Sequence, residues 1–513
     1  MLIRVSGALL LGVDSRPITV EVDAGRGLPS FHIVGQGDRV VNESRDRIRA
    51  AFRQSGIEFP PGRVTVNLAP SDLPKTGSAL DLPIAIAIAA TRTAVSPDNL
   101  AGTLFVGELG LDAEIRAVRG ALPLVSAAVT SGLPRAVVPL ANLDEASACP
   151  GVDLYGAPSL GSVLDWLRDQ ETLVRPCESA QPSARAALEP DLADVQGQEN
   201  AKRALEVAAA GRHNLRMVGP PGSGKTLLAR RLPGLLPGLS AEEALDATRI
   251  HSVAGTLRGR ALLVEPPFRA PHHTSSEAGM IGGGRPLMPG EISLAHRGVL
   301  FLDELPEFRR NVLEALRQPL EEGFVHLSRA GLALEFPARF QLIAAMNPCP
   351  CGYRGDETRE CNCNDAAVNR YHAKLSGPLL DRIDLHVAVP PLRRPSILSP
   401  GVGGHAEPSQ RVAERVREAR ARQWRRYRSE PFATNAELPF KRLAEHCRLC
   451  ARSQALLDRA VPGLGLSMRG LTRVLRVARS IADLTGSDDV LEPHVAEAIG
   501  YRAGGATPGR NHN

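Results

Sequence analysis

The sequence predicts a chain of three parts, with a parallel α/β sheet in the middle, an α+β segment before it and helices after it. Between residues 191 and 392, helical stretches alternate with short apolar strands, which is typical of a parallel sheet. A glycine-rich turn follows the first of these strands. After a Pro/Gly-rich break at 390–408, residues 409–502 have arginine-rich and apolar stretches with few β-branched clusters, which indicates helices.

Length and composition agree with this division. A chain of 513 residues is long enough for roughly three domains, and we place them at 1–173, 191–392 and 393–513, with a linker rich in Pro, Ser, Ala and Glu at 174–190. Hydrophobic residues make up 43% and charged residues 23%, as in soluble globular proteins. The net charge is only +5, so nucleic-acid affinity would require local basic patches.

The first residues have the apolar character of a signal-peptide core, but the following residues do not continue that pattern. Asp14 and Arg16 come at once, without a small-residue cleavage site, and residues 18–23 then alternate like a strand. No apolar run is long enough to cross a bilayer. We therefore expect a cytoplasmic protein with no membrane partner.

The glycine-rich turn matches the P-loop pattern in full and lies between a strand at 215–218 and a helix start at 227. Its residues are Gly219, Pro220, Pro221, Gly222, Ser223, Gly224, Lys225 and Thr226. Glycines let backbone N–H groups face phosphates, and a helix N-terminus favours an anion. We expect Lys225 to hold the β and γ phosphates of ATP and Thr226 to ligate Mg²⁺.

Two later strands end in polar residues that suit the same site. Residues 298–302 lead into Asp303 and Glu304, and residues 340–346 lead into Asn347. Ligands bind at the carboxyl ends of strands in α/β sheets. Asp303 is expected to hold Mg²⁺, Glu304 to polarise the attacking water, and Asn347 to orient that water. The alternative for Asn347 is a turn cap before Pro348.

Four of the eight cysteines are clustered as two Cys-x-Cys pairs. They are Cys349, Cys351, Cys361 and Cys363. Four thiolates are the ligand set of a closed tetrahedral zinc site, although Cys-x2-Cys is the usual spacing. We expect a structural Zn²⁺, with reduced, unliganded thiols as the alternative. Cys447 and Cys450 lack a second pair and are interpreted as ordinary cysteines of the helical segment.

These motifs resemble those of the magnesium-chelatase-like branch of AAA+ ATPases, and over nearly its whole length the chain resembles the ComM/YifB family. The stretches that carry the resemblance are 268–274, 289–298, 336–340, 347–352 and 376–384. The resemblance implies an AAA+ core with a helical lid, Mg²⁺-dependent ATP hydrolysis, and a ring of identical subunits, expected to be a hexamer.

The resemblance also implies roles for particular residues. Arg382 is similar to the arginine finger that reaches the γ-phosphate of the neighbouring subunit, with pairing to Asp381 or Asp384 as the alternative. Arg469 resembles the second sensor of the lid, with Arg473 as the other choice. Residues 191–198 resemble the segment that lies against adenine.

DNA is the partner that the resemblance implies, through branch migration in DNA uptake and recombination. A hairpin predicted at 325–332 places Arg329 beside a tight turn, where it meets phosphates or forms a salt bridge. Residues 411–428 contain eight arginines at helical spacing. That helix either faces DNA or is a linker helix whose arginines pair with Glu414 and Glu418.

Residues 1–173 resemble a Lon-protease-like domain, but the peptidase dyad is incomplete. Ser78, after Lys75, stands where the nucleophile would be, while the stretch from Val118 that should carry the lysine base has none. We expect an interaction domain without peptidase activity. A DNA translocase is thus the predicted function; the alternatives are a chelatase-type motor acting with partner subunits, and an ATP-driven peptidase.

Overall fold

The computed structural model describes residues 2–503 apart from 36, 38, 177–189, 258, 285, 330–331, 358 and 392–406. Most of the predicted linker, Cys177 and most of the Pro/Gly-rich break therefore lie outside the described residues. Within the described ranges, the chain forms two sheets of five or more strands, followed by helices.

The first segment is built on a seven-stranded mixed sheet of order β3-β4-β2-β1-β5-β8-β9. The strands of this segment are β1 Leu2–Leu11, β2 Asp14–Gly25, β3 Ser30–Val34, β4 Arg63–Ala69, β5 Thr103–Phe105, β6 Glu108–Leu109, β7 Ile115–Arg116, β8 Arg135–Pro139 and β9 Asp153–Ala157. Its helices are α1 Arg39–Gln54, α2 Asp81–Ala89, α3 Pro97–Ala101, α4 Ala121–Thr130, α5 Leu143–Ala146 and α6 Leu160–Leu167.

Residues 18–23, which the sequence predicts to alternate like a strand, lie within β2, and the apolar stretch after residue 81 forms helix α2. Every residue of α2 is buried, because its side chains are apolar on all sides except at Asp81. The Asp81 carboxylate is satisfied by Arg47 Nε, which donates to it at 2.6 Å.

The middle segment contains a five-stranded sheet in order β11-β14-β17-β10-β18. Its strands and those beside it are β10 Leu215–Val218, β11 Phe268–Arg269, β12 Gly282–Gly283, β13 Met288–Pro289, β14 Val299–Leu302, β15 Phe324–Arg329, β16 Leu332–Pro337, β17 Gln341–Met346 and β18 Leu385–Ala388. The helices are α7 Glu199–Gly211, α8 Lys225–Ala229, α9 Leu232–Leu235, α10 Ala241–Ala254, α11 Glu277–Ile281, α12 Glu291–Leu294, α13 Arg310–Ala315, α14 Arg317–Glu322, α15 Asp365–Ala373 and α16 Gly377–Leu380.

All neighbours in the five-stranded sheet are parallel, as predicted. The P-loop strand β10 lies beside β17, and β17 separates it from β14. Parallel strands end on the same edge, so the residues after β17 lie between those after β10 and those after β14. The strand order therefore places Asn347 between the P-loop and Asp303.

The last segment is helical, as predicted. Its helices are α17 Ser409–Arg426, α18 Leu443–His446, α19 Ala451–Gly463, α20 Met468–Leu484 and α21 Glu492–Ala503. Apolar residues of α17, α20 and α21 share one core with α7 and with strands β10 and β18. This segment, which we call the lid, therefore packs directly on the middle segment.

Helix α17 carries the arginine-rich stretch, and several of its arginines bind other elements. Arg415 Nε lies 2.5 Å from Glu206 of α7, and Arg426 Nη2 lies 2.5 Å from Asp483 of α20. Arg420 Nη2 donates to the backbone oxygen of Ala209 at 2.9 Å. These arginines have a structural role: they hold α17 between the middle segment and the rest of the lid.

The hairpin predicted after residue 325 is confirmed as β15 and β16, which pair from Phe324 and Pro337 to the turn. The residues of that turn and the Arg329 side chain lie outside the description. Leu334, midway along β16, lies close to Gly12 in the turn between β1 and β2, so the hairpin also contacts the first segment.

Across the described ranges, no helix combines the length and the apolar character that a membrane crossing requires.

From a buried histidine that precedes strand β14, we predict that stability depends on pH. His296 is 3% exposed, and its Nδ1 accepts the Arg339 N–H at 3.0 Å. Burial first, and then Arg297, lower the pKa of His296 to about 2. Unfolded histidine titrates near 6.5, so below that pH only the unfolded chain takes up this proton. Stability is then full above about pH 6.5 and falls with decreasing pH by up to about 1.4 kcal/mol per unit.

We expect His296→Gln, which keeps an acceptor without the titration, to flatten this dependence between pH 6.5 and 5. Urea unfolding at a series of pH values measures it. His32→Gln, which removes an exposed histidine, is the control. Equal slopes for wild type and His296→Gln would contradict the prediction.

Candidate nucleotide-binding site

The loop between β10 and α8 has the backbone of a phosphate cradle. Gly222 and Gly224 have φ of +77° and +92°, which side chains other than glycine rarely adopt. A Cβ at Gly219 would lie 2.1 Å from the backbone oxygen of Val389. These glycines therefore allow the turn that directs backbone N–H groups at the start of α8 towards an anion.

Lys225 points back into this loop. Its Nζ donates to the backbone oxygens of Gly219 at 2.7 Å and Pro220 at 2.9 Å, and to Asn347 Oδ1 at 3.2 Å. Burial lowers the pKa of Lys225, while Asp303 and Glu304 act in the opposite direction. A phosphate in the cradle would favour the charged form of this ammonium group.

Thr226 and Asp303 form an oxygen pair beside the cradle. The Thr226 hydroxyl donates to Asp303 Oδ2 at 2.6 Å, and Asp303 Oδ1 accepts the Glu304 N–H at 2.9 Å. A hydroxyl and a carboxylate next to a phosphate site are the protein ligands that Mg²⁺ prefers. The residues present therefore fit the predicted magnesium ion, which would neutralise phosphate charge when bound.

Glu304 has an unusual backbone and a histidine partner. Its φ of 51° and ψ of 46° are left-handed, a conformation that non-glycine residues adopt mainly where surrounding structure holds them. His273 Nδ1 lies 3.2 Å from Glu304 Oε2, and the His273 ring lies against Phe308. His273 comes from the loop after β11, the strand next to β14.

Sequence reasoning did not assign a role to His273. Nothing in the local spacing of the sequence connects a histidine at 273 with a carboxylate at 304. Only the pairing of β11 with β14 places them together.

Asn347 lies where the sequence predicted, at the carboxyl end of β17 and within hydrogen-bond distance of Lys225. The side chain is thus directed at the phosphate cradle.

Residues 191–198 end against the same loop. Gln198 Nε2 donates to the backbone oxygens of Ser223 at 3.2 Å and Pro390 at 2.5 Å. At the other end, Arg231 Nε donates to the Asp191 backbone oxygen at 2.8 Å. This segment therefore borders the phosphate cradle, and its contact with adenine stays a prediction.

The predicted arginines lie at the opposite edge of the sheet. A cavity of about 530 Å³ is lined by Asn214, Phe340 and Asp384, which immediately precede β10, β17 and β18, and by Arg382, Arg469 and Arg473. The cradle follows the carboxyl ends of these strands. Arg382 and Arg469 are therefore brought together, and away from the phosphate site of their own chain.

Arg382 is largely buried, with 7% of its surface exposed. It forms an ion pair with Glu321, and its Nη1 donates to the Pro378 backbone oxygen at 2.6 Å. The carboxylate of Asp384 instead pairs with Arg473 at 2.5 Å. Pairing of Arg382 with Asp381 or Asp384, the alternative from sequence, is thus not the arrangement observed. Arg469 is exposed on the rim of the cavity.

The clustered cysteines lie beside the cradle. Ligand atoms of Cys349, Cys351, Cys361 and Cys363 all lie within 4.8 Å of one another. Cys450 hydrogen-bonds Ser453 of α19 instead, as expected for a cysteine of the lid.

In the first segment, the Ser78 hydroxyl donates to the Glu108 carboxylate. Lys75 is fully buried and donates to the backbone oxygen of Pro70. The Ser78 hydroxyl therefore contacts a carboxylate and not the lysine base that peptidase chemistry requires.

Comparison with known proteins gives matches along nearly the whole chain. The family described as magnesium chelatase, subunit ChlI, matches residues 191–397; subunit ChlI of Mg-chelatase matches 20–142, and the ChlI C-terminal family matches 406–502. The chain is 45% identical to YifB of Escherichia coli (strain K12) over 96% of this chain and 95% of that protein. It is 44% identical to competence protein ComM of Haemophilus influenzae over 96% of each. A magnesium-chelatase 38 kDa subunit of Rhodobacter capsulatus is 25% identical over 59% of this chain and 83% of that protein.

The contact between His273 and Glu304 generates a prediction about turnover. His273→Ala is expected to lower kcat for nucleotide hydrolysis and leave nucleotide affinity unchanged, because His273 orients Glu304 without touching the phosphate cradle. The loss should be smaller than the about 10²–10⁴-fold that a general base supplies. Steady-state hydrolysis and equilibrium nucleotide binding separate the two effects.

His272→Ala is the matched control, since its ring packs on His273 and its Nδ1 lies 2.9 Å from Thr274 rather than from Glu304. Equal turnover in wild type and His273→Ala would show that Glu304 needs no such support.

Proposed function

Because this chain belongs to the ComM/YifB family of magnesium-chelatase-like AAA+ ATPases, we propose that it is a ring-forming DNA translocase that couples Mg²⁺-dependent ATP hydrolysis to branch migration. The observation that carries the ATPase assignment is the convergence of Lys225, Thr226, Asp303 and Asn347 at one edge of the sheet. We expect it to work in the cytoplasm.

Each residue of the site has a separate role in ATP hydrolysis. Lys225 exchanges the carbonyl oxygens of its own loop for β- and γ-phosphate oxygens of ATP. Thr226 and Asp303 would hold Mg²⁺, which shields the phosphate charges when bound. Glu304, held by His273, accepts a proton from the attacking water. Asn347, next to Lys225, orients that water towards the γ-phosphate.

The arginine edge supports action between subunits. Arg382 and Arg469 lie at the amino ends of the strands, so a single chain cannot bring them to its own γ-phosphate. A ring in which each amino edge faces the next carboxyl edge would join the two halves of the site. Arg382 would then leave Glu321 and stabilise the charge that develops on the neighbour's phosphate.

DNA as the substrate is supported by similarity over nearly full length to ComM, whose name describes a competence protein. The similarity to magnesium-chelatase subunits keeps metal insertion with partner subunits as the other candidate. The sequence has no Asp-x-Ser-x-Ser metal motif of the kind that chelatase partner subunits carry, so metal insertion would require a separate subunit that supplies it.

Unwinding of forked and three-stranded DNA by the full chain tests the proposal. We expect ATP-dependent strand displacement and a DNA-stimulated rise in ATP turnover, both lost in Glu304→Gln, which should still bind ATP. If the wild-type protein hydrolyses ATP but neither binds DNA nor displaces a strand, the DNA assignment is wrong and the chelatase alternative is favoured.

A mixing experiment tests whether Arg382 acts on a neighbour. Arg382→Ala and Glu304→Gln should each lose ATP turnover, by about 10³-fold or more for the arginine. Mixed together, they should recover part of it, because an intact Glu304 of one chain meets an intact Arg382 of another.

Turnover by the mixture is compared with the sum of the separate variants at the same total concentration. As a control, Glu304→Gln mixed with Lys225→Ala should not recover, since both changes disable the same half of the site. Recovery absent from the first mixture would mean that Arg382 serves its own chain.

A further inference from the structure

The four clustered cysteines have the dimensions of a tetrahedral metal site. The Sγ atom of Cys349 lies 3.3 Å from that of Cys351 and 3.6 Å from that of Cys361. The Cys351 and Cys361 sulfurs are 3.5 Å apart, and Cys363 completes the group within 4.8 Å. Sulfurs around a zinc ion at Zn–S distances of about 2.3 Å are about 3.8 Å apart. The sulfurs of Cys349, Cys351 and Cys361 are also much farther apart than the about 2.05 Å of the S–S bond in a disulfide.

The ligand set also selects the metal. Four sulfurs and no oxygen ligand suit zinc among common biological cations, whereas Mg²⁺ and Ca²⁺ take oxygen ligands. Cys349 is fully buried and the other three are half-buried. Four protein ligands fill a tetrahedral zinc, so no position is left for a substrate and the ion would be structural.

The first pair of cysteines is joined to the nucleotide site. Gly352 N–H donates to the Cys349 backbone oxygen at 3.0 Å, which closes a turn around Cys351. Gly352 has φ of +89°, and a Cβ there would lie 2.7 Å from Pro221 Cδ in the phosphate loop. The cysteine turn therefore packs directly on the P-loop, two residues beyond Asn347.

The second pair leads into helix α15, which returns to the same place. Asn364 caps α15 by accepting the Ala367 N–H at 2.8 Å. His372, in the last turn, contacts the Pro348 backbone oxygen through Nε2 at 3.0 Å. An ion bound to both pairs would close the loop 349–363 and hold Asn347 between β17 and α15.

We propose that Cys349, Cys351, Cys361 and Cys363 bind one zinc ion and that this ion fixes Asn347 in its position for ATP hydrolysis. The coupling to hydrolysis rests on the proposed function, whereas the metal site does not. Asn347 is the residue through which the ion acts, and the cysteines are positioning residues.

Metal content tests the site. Elemental analysis of the purified full-length protein should find about one zinc per chain. The double variant Cys361→Ser/Cys363→Ser should lose it, and Cys450→Ser, a half-buried cysteine outside the cluster, should keep it. Replacement by Co²⁺ should give the visible absorption of a tetrahedral thiolate complex. Zinc absent from wild type, with no one-to-one binding of added Zn²⁺ to the reduced protein, would overturn the site.

Reversible removal of the metal tests the coupling without relying on a variant that folds poorly. Wild-type protein stripped of zinc, freed of the chelator and returned to Mg²⁺ should bind ATP as before, turn it over about tenfold more slowly, in line with losses from disturbed supporting residues, and recover on addition of Zn²⁺. In Asn347→Ala, chelation should cause no further loss, because the residue that the ion positions is gone.

The outcomes separate the two proposals. Unchanged turnover after chelation, or an equal tenfold loss in Asn347→Ala, would overturn the coupling and leave the metal site. Hydrolysis by a chain that never binds zinc would overturn the site and leave the proposed function. Zinc without any ATP binding would overturn the nucleotide assignment, and the coupling with it.

Discussion

The parallel pairing of β10, β17 and β14 is the constraint on which the rest of the structure depends. Because the three strands run in one direction, the polar residues after them meet at a single edge. This strand pairing brings Lys225 into contact with Asn347 and Thr226 into contact with Asp303. The Lys225 ammonium group donates to carbonyl oxygens of its own loop, so this buried charge is hydrogen-bonded.

The same constraint separates the site into two halves. The residues that precede the strands lie at the other edge of the sheet. A cavity at that edge is lined by Arg382, Arg469 and Arg473. Charges of one sign accumulate at such an edge only with compensation, which Glu321 and Asp384 supply in the single chain. The two edges are thus chemically complementary: one is built to receive phosphate, and the other carries the cations that a phosphate attracts.

Supporting contacts reach the nucleotide edge from three directions. The loop after β11 brings His273 to Glu304, residues 191–198 bring Gln198 to the phosphate loop, and the cysteine turn packs Gly352 on Pro221. Each contact restrains a group near the place where phosphate would bind. Restraint of this kind matters because a catalytic group displaced by about 1 Å can lose much of its effect.

The sequence by itself determined the P-loop, the acidic pair after β14, the residue after β17 and the parallel class of the sheet. These follow from local patterns: glycine spacing, apolar runs and the polar residues that end them. Tertiary structure alone decided that His273 meets Glu304, that Arg382 pairs with Glu321 rather than with a neighbour in sequence, and that the cysteines lie against the phosphate loop. Such contacts depend on strand order and on how distant loops pack, and spacing along the chain does not encode either one.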